Sequence, residues 1–308
     1  MRKAVIDVGS NSVLLTVEEH LGGPWLPICE TSEVTALGEG TKSSGVLSQE
    51  GMGRTLDALR RAYERAKTLH CESILALATM AARIAQNTPD FLARAESQGT
   101  PVRVLSGELE AQLGFRAVVN DQTFATHLRV SIIDVGGHST ELVMANRKDD
   151  GWDVDLRQSF PVGTLGLRDG ILSEESLAPG TILTAIASID DSIGAVHLHG
   201  HAGHAIALGA TGTNLVSIRE QMKSWDPGLV HGRRLSYEEI SRAVSRLGAM
   251  TDAQRRALPG LEPGRERTIH IGAMILERFL HAIRADGCSV SVRGWRHAIL
   301  EEGLPESA

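Results

Sequence analysis

Residues 6–12 read I-D-V-G-S-N-S and residues 133–139 read I-D-V-G-G-H-S, so the chain contains nearly the same short stretch twice. Each copy follows an apolar run and leads into another, a pattern that predicts a strand, a tight turn and a second strand. Glycine lets a backbone turn approach a ligand closely, and consecutive N–H groups in such a turn form a concave site for anions. The repeated stretch therefore predicts two similar hairpins that bind phosphate.

The aspartate before the glycine in each copy, Asp7 or Asp134, adds a second kind of ligand to this prediction. An ionised carboxylate only accepts hydrogen bonds, and it suits a hard cation such as Mg²⁺, which can bridge to phosphate oxygens. Either copy alone is equally well explained as an ordinary glycine turn between two strands. The presence of both copies, with Asp and Ser in the same positions, favours the phosphate interpretation.

The composition is that of an ordinary globular protein, with 42% apolar and 22% charged residues in a chain of 308. A chain of this length is expected to form two domains. The formal net charge of −7 argues against nonspecific binding to nucleic acid or to a membrane surface, whereas a phosphate site needs only local donors. The three cysteines form no C-x-x-C pair, which favours reduced thiols and predicts a cytoplasmic protein.

Strand and helix patterns alternate along the chain in two similar halves. In the first half, residues 73–78 are predicted to form a buried strand. One helix with regular apolar spacing is predicted to open near Ser48, and another is predicted to be capped by Ser106. In the second half, a helix is predicted from about Glu174 to Ile193, and residues 209–213 form a turn that leads into the next helix.

Two α/β halves of this kind predict duplicated actin-like ATPase domains, of the ribonuclease H-like type, that flank a cleft. The predicted N-terminal lobe covers residues 1–124 and the C-terminal lobe covers residues 125–295. A C-terminal helix at about 296–308 is expected to pack back onto the first lobe.

Further motifs occur in a specific order along residues 4–304. They are L-G-E-G at 37–40, G-x-L-S at 45–48, T-x-x-x-R-x-A-x-N at 79–87, S-G-x-x-E-A at 106–111, G-A-T-G-T at 209–213 and R-x-x-x-I-x-x-G-A at 265–273. Together with the two glycine loops, they resemble the exopolyphosphatase and guanosine pentaphosphate phosphohydrolase family (Ppx/GppA). The resemblance implies a hydrolase that releases terminal phosphate from inorganic polyphosphate or from a guanosine alarmone.

The resemblance also assigns roles to residues. Glu110 in S-G-x-x-E-A would be the general base, an assignment that agrees with its place near a helix N-terminus, where the helix dipole favours a carboxylate. Without the family, a solvated helix glutamate would be the first interpretation. Arg83 would contact the transferred phosphoryl group, because a planar guanidinium matches phosphate oxygens. Its alternative is an ordinary surface arginine.

A divalent cation, Mg²⁺ or Mn²⁺, would be held by Asp7 and Asp134, and Glu141 would contact it directly or through a bound water. The remaining site residues are expected to bind phosphate, mostly through donors in glycine-rich turns. They are Ser10, Asn11, Ser12, Gly136, Gly137, His138, Ser139, Thr140, Gly212 and Thr213.

Four positions depart from the family pattern. His138 replaces a third loop glycine, where it could add a phosphate donor or carry backbone strain. At residues 291–298, where the C-terminal family pattern is S-D-x-G-L-R-x-G, Val292 replaces the aspartate and Ala298 replaces the last glycine. Arg267 replaces an acidic residue.

These changes favour an altered substrate or domain-closure preference over an inactive enzyme, because Glu110, Asp134 and Glu141 are all retained. A His-rich tract at residues 197–204 resembles a metal site in its spacing, but a polar connection is the preferred interpretation.

Two other functional classes stay open at this point. The chain could be a nucleotide-binding sensor of alarmones with little turnover, or an actin-like kinase that acts on a small acceptor. The expected partner is polyphosphate or an alarmone, with no nucleic acid and no membrane, and the resemblance adds the expectation of a homodimer.

Overall fold

The computed structural model describes residues 1–194 and 203–305. The chain forms two compact units. The first unit contains Met1–Ala117 together with the C-terminal segment from Trp295, and the second contains Val118–Gly294. Within the described ranges, every helix is too short or too polar to cross a membrane.

The first unit is built on a five-stranded sheet with the strand order β3-β2-β1-β4-β5. Its strands are β1 (Arg2–Val8), β2 (Ser12–His20), β3 (Trp25–Val34), β4 (Ser73–Ala78) and β5 (Arg103–Val104). Its helices are α1 (Thr41–Ser44), α2 (Gln49–Thr68), α3 (Met80–Ile84), α4 (Thr88–Ser97), α5 (Gly107–Val119) and the C-terminal helix α13 (Trp295–Glu302). Helix α5 ends two residues past the boundary of the unit. Side chains from α2 and α4 pack on one face of the sheet, and those of α5 and α13 pack on the other.

The second unit contains a six-stranded sheet with the strand order β10-β11-β9-β6-β7-β8. The strands are β6 (Arg129–Val135), β7 (Thr140–Lys148), β8 (Gly151–Phe160), β9 (His204–Leu208), β10 (Arg234–Ser236) and β11 (Gly287–Val290). The helices are α6 (Thr164–Arg168), α7 (Pro179–Ile193), α8 (Gly209–Arg219), α9 (Pro227–Val230), α10 (Tyr237–Gly248), α11 (Asp252–Arg256) and α12 (Ile269–Ala282), with a 3₁₀ turn at Arg265–Arg267.

The repeated sequence stretch forms the same hairpin in both units. Ile6 pairs with Leu15 in the first hairpin, and Ile133 pairs with Leu142 at the same place in the second. A parallel strand then joins each hairpin, β4 next to β1 and β9 next to β6. The duplicated α/β architecture predicted from the sequence is therefore confirmed.

Some element boundaries differ from the prediction. The helix predicted from Glu174 begins instead at Pro179, because a residue that precedes proline is pushed into the extended conformation found at Ala178. Residues 209–213, predicted as a turn, are the first residues of α8. The predicted caps are present, since Ser48 accepts a hydrogen bond from the Gly51 N–H and Ser106 accepts one from the Leu109 N–H.

Candidate active site

The first glycine loop, residues 9–12, joins β1 to β2 and is named loop 1. The Gly9 N–H donates to the Ser12 carbonyl at 2.9 Å, which closes the turn. A Cβ on Gly9 would lie only 3.0 Å from that carbonyl oxygen, so glycine is required for space rather than for a left-handed backbone. Ser10, Asn11 and Ser12 are all buried.

Loop 1 is fixed by the segments that surround it. The Ser10 Oγ accepts a hydrogen bond from the Ala81 N–H of α3, and the Ser10 carbonyl accepts one from the Gly38 N–H. The G-rich stretch at 37–40 and the motif at 79–87 thus both support the first predicted phosphate loop. The sequence motifs that were recognised separately come together around one turn.

Asp7 lies on β1, immediately before loop 1, and its side chain is 12% exposed. Its Oδ1 lies 3.6 Å from the position that a Cβ on Gly9 would occupy, so this oxygen faces the loop. Its Oδ2 faces Nη1 of Arg296 at 3.5 Å. The sequence reasoning assigned no role to Arg296, although the arginine belongs to the C-terminal family pattern S-D-x-G-L-R-x-G.

Arg83 and Glu110, both predicted as catalytic, form a direct ion pair in the first unit. Arg83 Nη1 lies 2.7 Å from Glu110 Oε2 and also donates to the Leu105 carbonyl at 2.8 Å. The guanidinium passes over Gly107, where a Cβ would lie 3.7 Å from the Arg83 Cζ. Both side chains are mostly buried, with exposed fractions of 17% and 16%. The partnership of two predicted catalytic side chains argues against the interpretation of either as an ordinary surface residue.

Asp7 and Glu110 lie on the same side of the first sheet. Asp7 shares a face of β1 with Val5, two residues away, because side chains alternate along a strand. Val5 packs with Leu113 of α5, the helix that carries Glu110. The fold thus places the predicted base and the predicted metal ligand of this unit on one face of one sheet.

The second glycine loop, residues 136–139, is named loop 2 and repeats the geometry of loop 1. The Gly136 N–H donates to the Ser139 carbonyl at 2.9 Å, and a Cβ on Gly136 would lie 2.8 Å from that oxygen. The Gly137 carbonyl accepts a hydrogen bond from the Leu165 N–H of α6. The Thr140 hydroxyl donates to the Val162 carbonyl at 2.8 Å, so its proton is directed away from the loop.

His138 in loop 2 is fully buried. Its backbone lies outside the left-handed region, so the strain that a replaced glycine would cause is absent at this residue. A role for its imidazole in phosphate binding stays a prediction.

Asp134 and Glu141 are directly opposite each other on β6 and β7. Facing residues in an antiparallel pair lie on one side of the sheet, so the two carboxylates are neighbours. Glu141 Oε1 accepts a hydrogen bond from the Ser159 hydroxyl at 2.8 Å. Asp134 Oδ1 lies only 2.8 Å from the position of a Cβ on Gly209, which has a φ of +74°. Glycine at this position leaves room for the Asp134 carboxylate.

Gly212 and Thr213 are the fourth and fifth residues of α8, which begins at Gly209, and do not lie in a separate loop. A Cβ on Gly212 would lie 3.2–3.3 Å from the Val290 and Ala207 side chains, so this glycine lets α8 pack closely on the sheet. The Thr213 hydroxyl donates to the Ala210 carbonyl at 3.2 Å. The N–H groups that a helix N-terminus leaves open belong to residues 208–211, so the phosphate contacts of Gly212 and Thr213 stay a prediction.

Arg267, one of the departures from the family pattern, has a hydrogen-bond partner in the second unit. The Arg267 carbonyl accepts a hydrogen bond from Arg168 Nη1. The neighbouring Glu266 is buried and accepts hydrogen bonds from both Nε and Nη2 of Arg256. Burial raises the pKa of Glu266, but the Arg256 guanidinium and backbone hydrogen bonds together outweigh it and lower the pKa overall. A buried carboxylate is therefore retained one residue before the position where the acidic residue was expected.

The carboxylate oxygens of the predicted metal ligands, Asp7, Asp134 and Glu141, suit a hard cation. Among residues 1–194 and 203–305, no group of three or more His, Cys, Asp or Glu side chains could hold a metal by itself. Mg²⁺ is commonly held by one or two carboxylates together with water and substrate phosphates. The adjacent Asp134 and Glu141, and separately the loop-facing Oδ1 of Asp7, fit that mode of binding.

The His-rich tract falls mostly outside the described residues, which include only Gly203 and His204 of it. His204 Nε2 lies 2.9 Å from the Ser289 hydroxyl, and its ring stacks on that of His127 at a centroid distance of 3.7 Å. Burial lowers the pKa of His204 to about 4, and the neighbouring His127 and Arg234 act in the same direction. His204 is therefore a neutral, packed side chain at neutral pH.

The sequence matches the model of the Ppx/GppA phosphatase family over residues 16–307. The chain belongs to the Ppx/GppA phosphatase family. Exopolyphosphatase 2 of Mycobacterium tuberculosis is 28% identical, and the match covers 92% of this chain and 91% of the relative. The guanosine-5'-triphosphate,3'-diphosphate pyrophosphatase of Pseudoalteromonas translucida is also 28% identical, over 98% of this chain and 59% of the relative.

A crystal structure of an Aquifex aeolicus Ppx/GppA family member has the same fold, with a TM-score of 0.78 and 26% identity. That match covers 97% of this chain and 96% of the other. The predicted family, the α/β fold and the hydrolase class are thereby confirmed. The roles of individual Ppx/GppA site residues remain predictions, although their positions in each unit are now defined.

Proposed function

We propose that this chain releases terminal phosphate from inorganic polyphosphate, or from the 5′ end of guanosine pentaphosphate, by attack of water on the last phosphorus. The observation that carries the proposal is the partly buried Arg83–Glu110 ion pair, at 2.7 Å, in a Ppx/GppA family member. The names of the relatives, exopolyphosphatase and guanosine pentaphosphate pyrophosphatase, support these two substrates.

In the proposed reaction, Glu110 accepts a proton from the attacking water while the new P–O bond forms. The P–O bond to the bridging oxygen breaks, and that oxygen leaves with the shortened chain or nucleotide. Arg83 holds the Glu110 carboxylate in place and supplies positive charge for the transferred phosphoryl group. This charge matters because phosphoryl transfer depends mainly on positioning and on charge stabilisation.

Backbone N–H groups of loop 1 and loop 2 would bind the phosphate oxygens. A divalent cation, Mg²⁺ or Mn²⁺, held through Asp7, Asp134 and Glu141, would neutralise negative charge on the phosphates. The buried hydroxyl and carbonyl contacts that fix both loops keep those N–H groups in one arrangement before the substrate binds. A cytoplasmic location and a homodimer are also expected.

The test is a phosphate-release screen of the purified chain with Mg²⁺, across polyphosphates of several lengths, guanosine alarmones and nucleoside triphosphates. We expect release from polyphosphate or pentaphosphate without any added acceptor. Phosphate transfer that requires a small acceptor would indicate a kinase. Tight alarmone binding with negligible release would indicate a sensor, and either result would contradict the proposal.

A further inference from the structure

The C-terminal helix α13 is packed firmly onto the first sheet. Its apolar side chains join a buried cluster with residues of β1, β4 and α5. The helix contributes Trp295, Ala298, Ile299 and Leu300, and the cluster also contains Val5, Leu77 and Leu113. A helix held by this much apolar burial can present a neighbouring polar side chain in a fixed position.

Arg296 of α13 reaches one acceptor on each of the first three strands. Its Nε donates to the Thr16 hydroxyl of β2 at 2.9 Å. Its Nη1 lies 3.5 Å from Asp7 Oδ2 of β1, and its Nη2 lies 3.5 Å from Glu30 Oε1 of β3. The Arg296 side chain is 10% exposed. A planar guanidinium with fixed donor directions can hold three acceptors at once, which a lysine ammonium on a flexible stem cannot do in the same way.

The contact defines the orientation of the Asp7 carboxylate. Oδ2 faces Arg296, while Oδ1 faces loop 1, at 3.6 Å from the Cβ position of Gly9. The two carboxylate oxygens are equivalent, so an exchange of their places leaves the ion pair unchanged, whereas any other rotation of the carboxylate takes an oxygen away from Arg296. Arg296 therefore favours the rotamer in which one oxygen points toward the loop that is proposed to bind phosphate.

The charges around Arg296 are also compatible with a bound cation. Two carboxylates, those of Asp7 and Glu30, share the single guanidinium of Arg296. The set of three groups carries a net negative charge when both carboxylates are ionised. The arginine orients Asp7 without cancelling all of the charge that a divalent cation would need.

We propose that Arg296 is a positioning residue that presents Asp7 Oδ1 to the divalent cation and thereby links the C-terminal helix to the phosphate site. This inference rests on the proposed function. Partners that orient a metal-binding side chain typically change metal affinity or activity by about 10–100-fold when they are removed. Arg296→Met is therefore expected to weaken cation binding by about tenfold or more, with Asp7 itself unchanged.

The experiment measures Mn²⁺ binding to the substrate-free chain by electron paramagnetic resonance, together with the Mg²⁺ concentration that gives half-maximal phosphate release. Arg296→Met should raise both the Mn²⁺ Kd and the Mg²⁺ requirement by about tenfold or more. Arg296→Lys keeps the positive charge but not the planar set of guanidinium donors, so its Mn²⁺ Kd and Mg²⁺ requirement should lie between those of Arg296→Met and the wild type. Urea unfolding of each variant reports whether the fold is intact.

His297→Gln is the matched control, because His297 lies on the same helix and faces Glu18 at 4.0 Å instead of Asp7. A purely structural role of α13 predicts that His297→Gln and both Arg296 variants lose stability without any change in cation affinity. That result, in a wild-type chain that releases phosphate, would overturn the inference. A wild-type chain that releases no phosphate from any tested substrate would instead contradict the proposed function.

Discussion

At the scale of single residues, the glycines of the two loops are explained by space. A Cβ on Gly9 would lie 3.0 Å from the Ser12 carbonyl oxygen, and a Cβ on Gly136 would lie 2.8 Å from the Ser139 carbonyl oxygen. Both distances are too short for a side chain. Neither glycine has a left-handed backbone. The repeated glycine in the sequence thus reflects a closed turn that brings N–H groups together, which is the property that a phosphate loop needs.

Gly136→Ala is therefore expected to destabilise the protein by about 1–3 kcal/mol, the usual cost of overpacking. Gly53→Ala is a matched control, because Gly53 lies inside α2 and a Cβ there would meet nothing within 4 Å. Removal of a helical glycine should stabilise the protein by about 0.5–1 kcal/mol. Urea unfolding measures both changes, and a Gly136→Ala protein as stable as the wild type would refute the steric explanation.

At the scale of elements, Asp121 connects three segments of the chain: its own segment before β6, the segment before α13 that carries Arg293, and the segment before β10 that carries His231. Its carboxylate lies 3.3 Å from Arg293 Nε and 3.2 Å from His231 Nε2, and it accepts a hydrogen bond from the Thr123 N–H. Burial tends to raise the pKa of Asp121, but the contacts with His231 and Thr123 outweigh it and lower the pKa to about 2.

A pKa of about 2 in the folded state lies below the value of about 4 expected in the unfolded chain. The ionised carboxylate therefore adds stability above about pH 4, and this contribution disappears as the pH falls toward 2. Asp121→Asn should cost about 2 kcal/mol at pH 7. In urea unfolding, its difference from the wild type should shrink between pH 4 and pH 2.

Asp150→Asn serves as the control for this experiment, since Asp150 is exposed in the turn between β7 and β8. Its stability should follow that of the wild type at every pH. An Asp121→Asn deficit that persists unchanged at pH 2 would show that packing, rather than the ionised carboxylate, accounts for the loss.

Elements with strong local signals could be predicted from the sequence. The strand β4 and the capped start of α2 follow from a buried apolar run and from helical periodicity after Ser48. The short helices α3 and α6 and the strand β10 were missed, because three to five residues contain too little periodicity to identify them. Such short elements are held by neighbouring parts of the fold, as α3 is held through the Ser10 hydroxyl.

At the scale of the whole molecule, the duplication is what made the site predictable. Two copies of one motif placed Asp7 and Asp134 at equivalent ends of β1 and β6, where the structure has them. Arg296 could not be predicted in the same way. Its contacts with β1, β2 and β3 depend on how a distant C-terminal helix packs, and residues far apart in sequence carry no local signal for such a contact.

The pairing of Arg83 with Glu110 is the other tertiary result. The sequence supplied both residues as separate candidates, with ordinary surface roles as alternatives. Because the structure joins them at 2.7 Å and leaves each side chain less than one fifth exposed, it turns two independent expectations into one proposed catalytic arrangement that a single variant can test.

The most direct test compares the rates of phosphate release at saturating substrate for the wild type, Glu110→Gln and Glu108→Gln. Glu108 is the control, because it is an exposed glutamate in the same first turn of α5. We predict that Glu110→Gln lowers kcat at least ~100-fold while it still binds substrate, and that Glu108→Gln stays close to the wild type. A Glu110→Gln protein with the turnover of the wild type would contradict the proposed reaction.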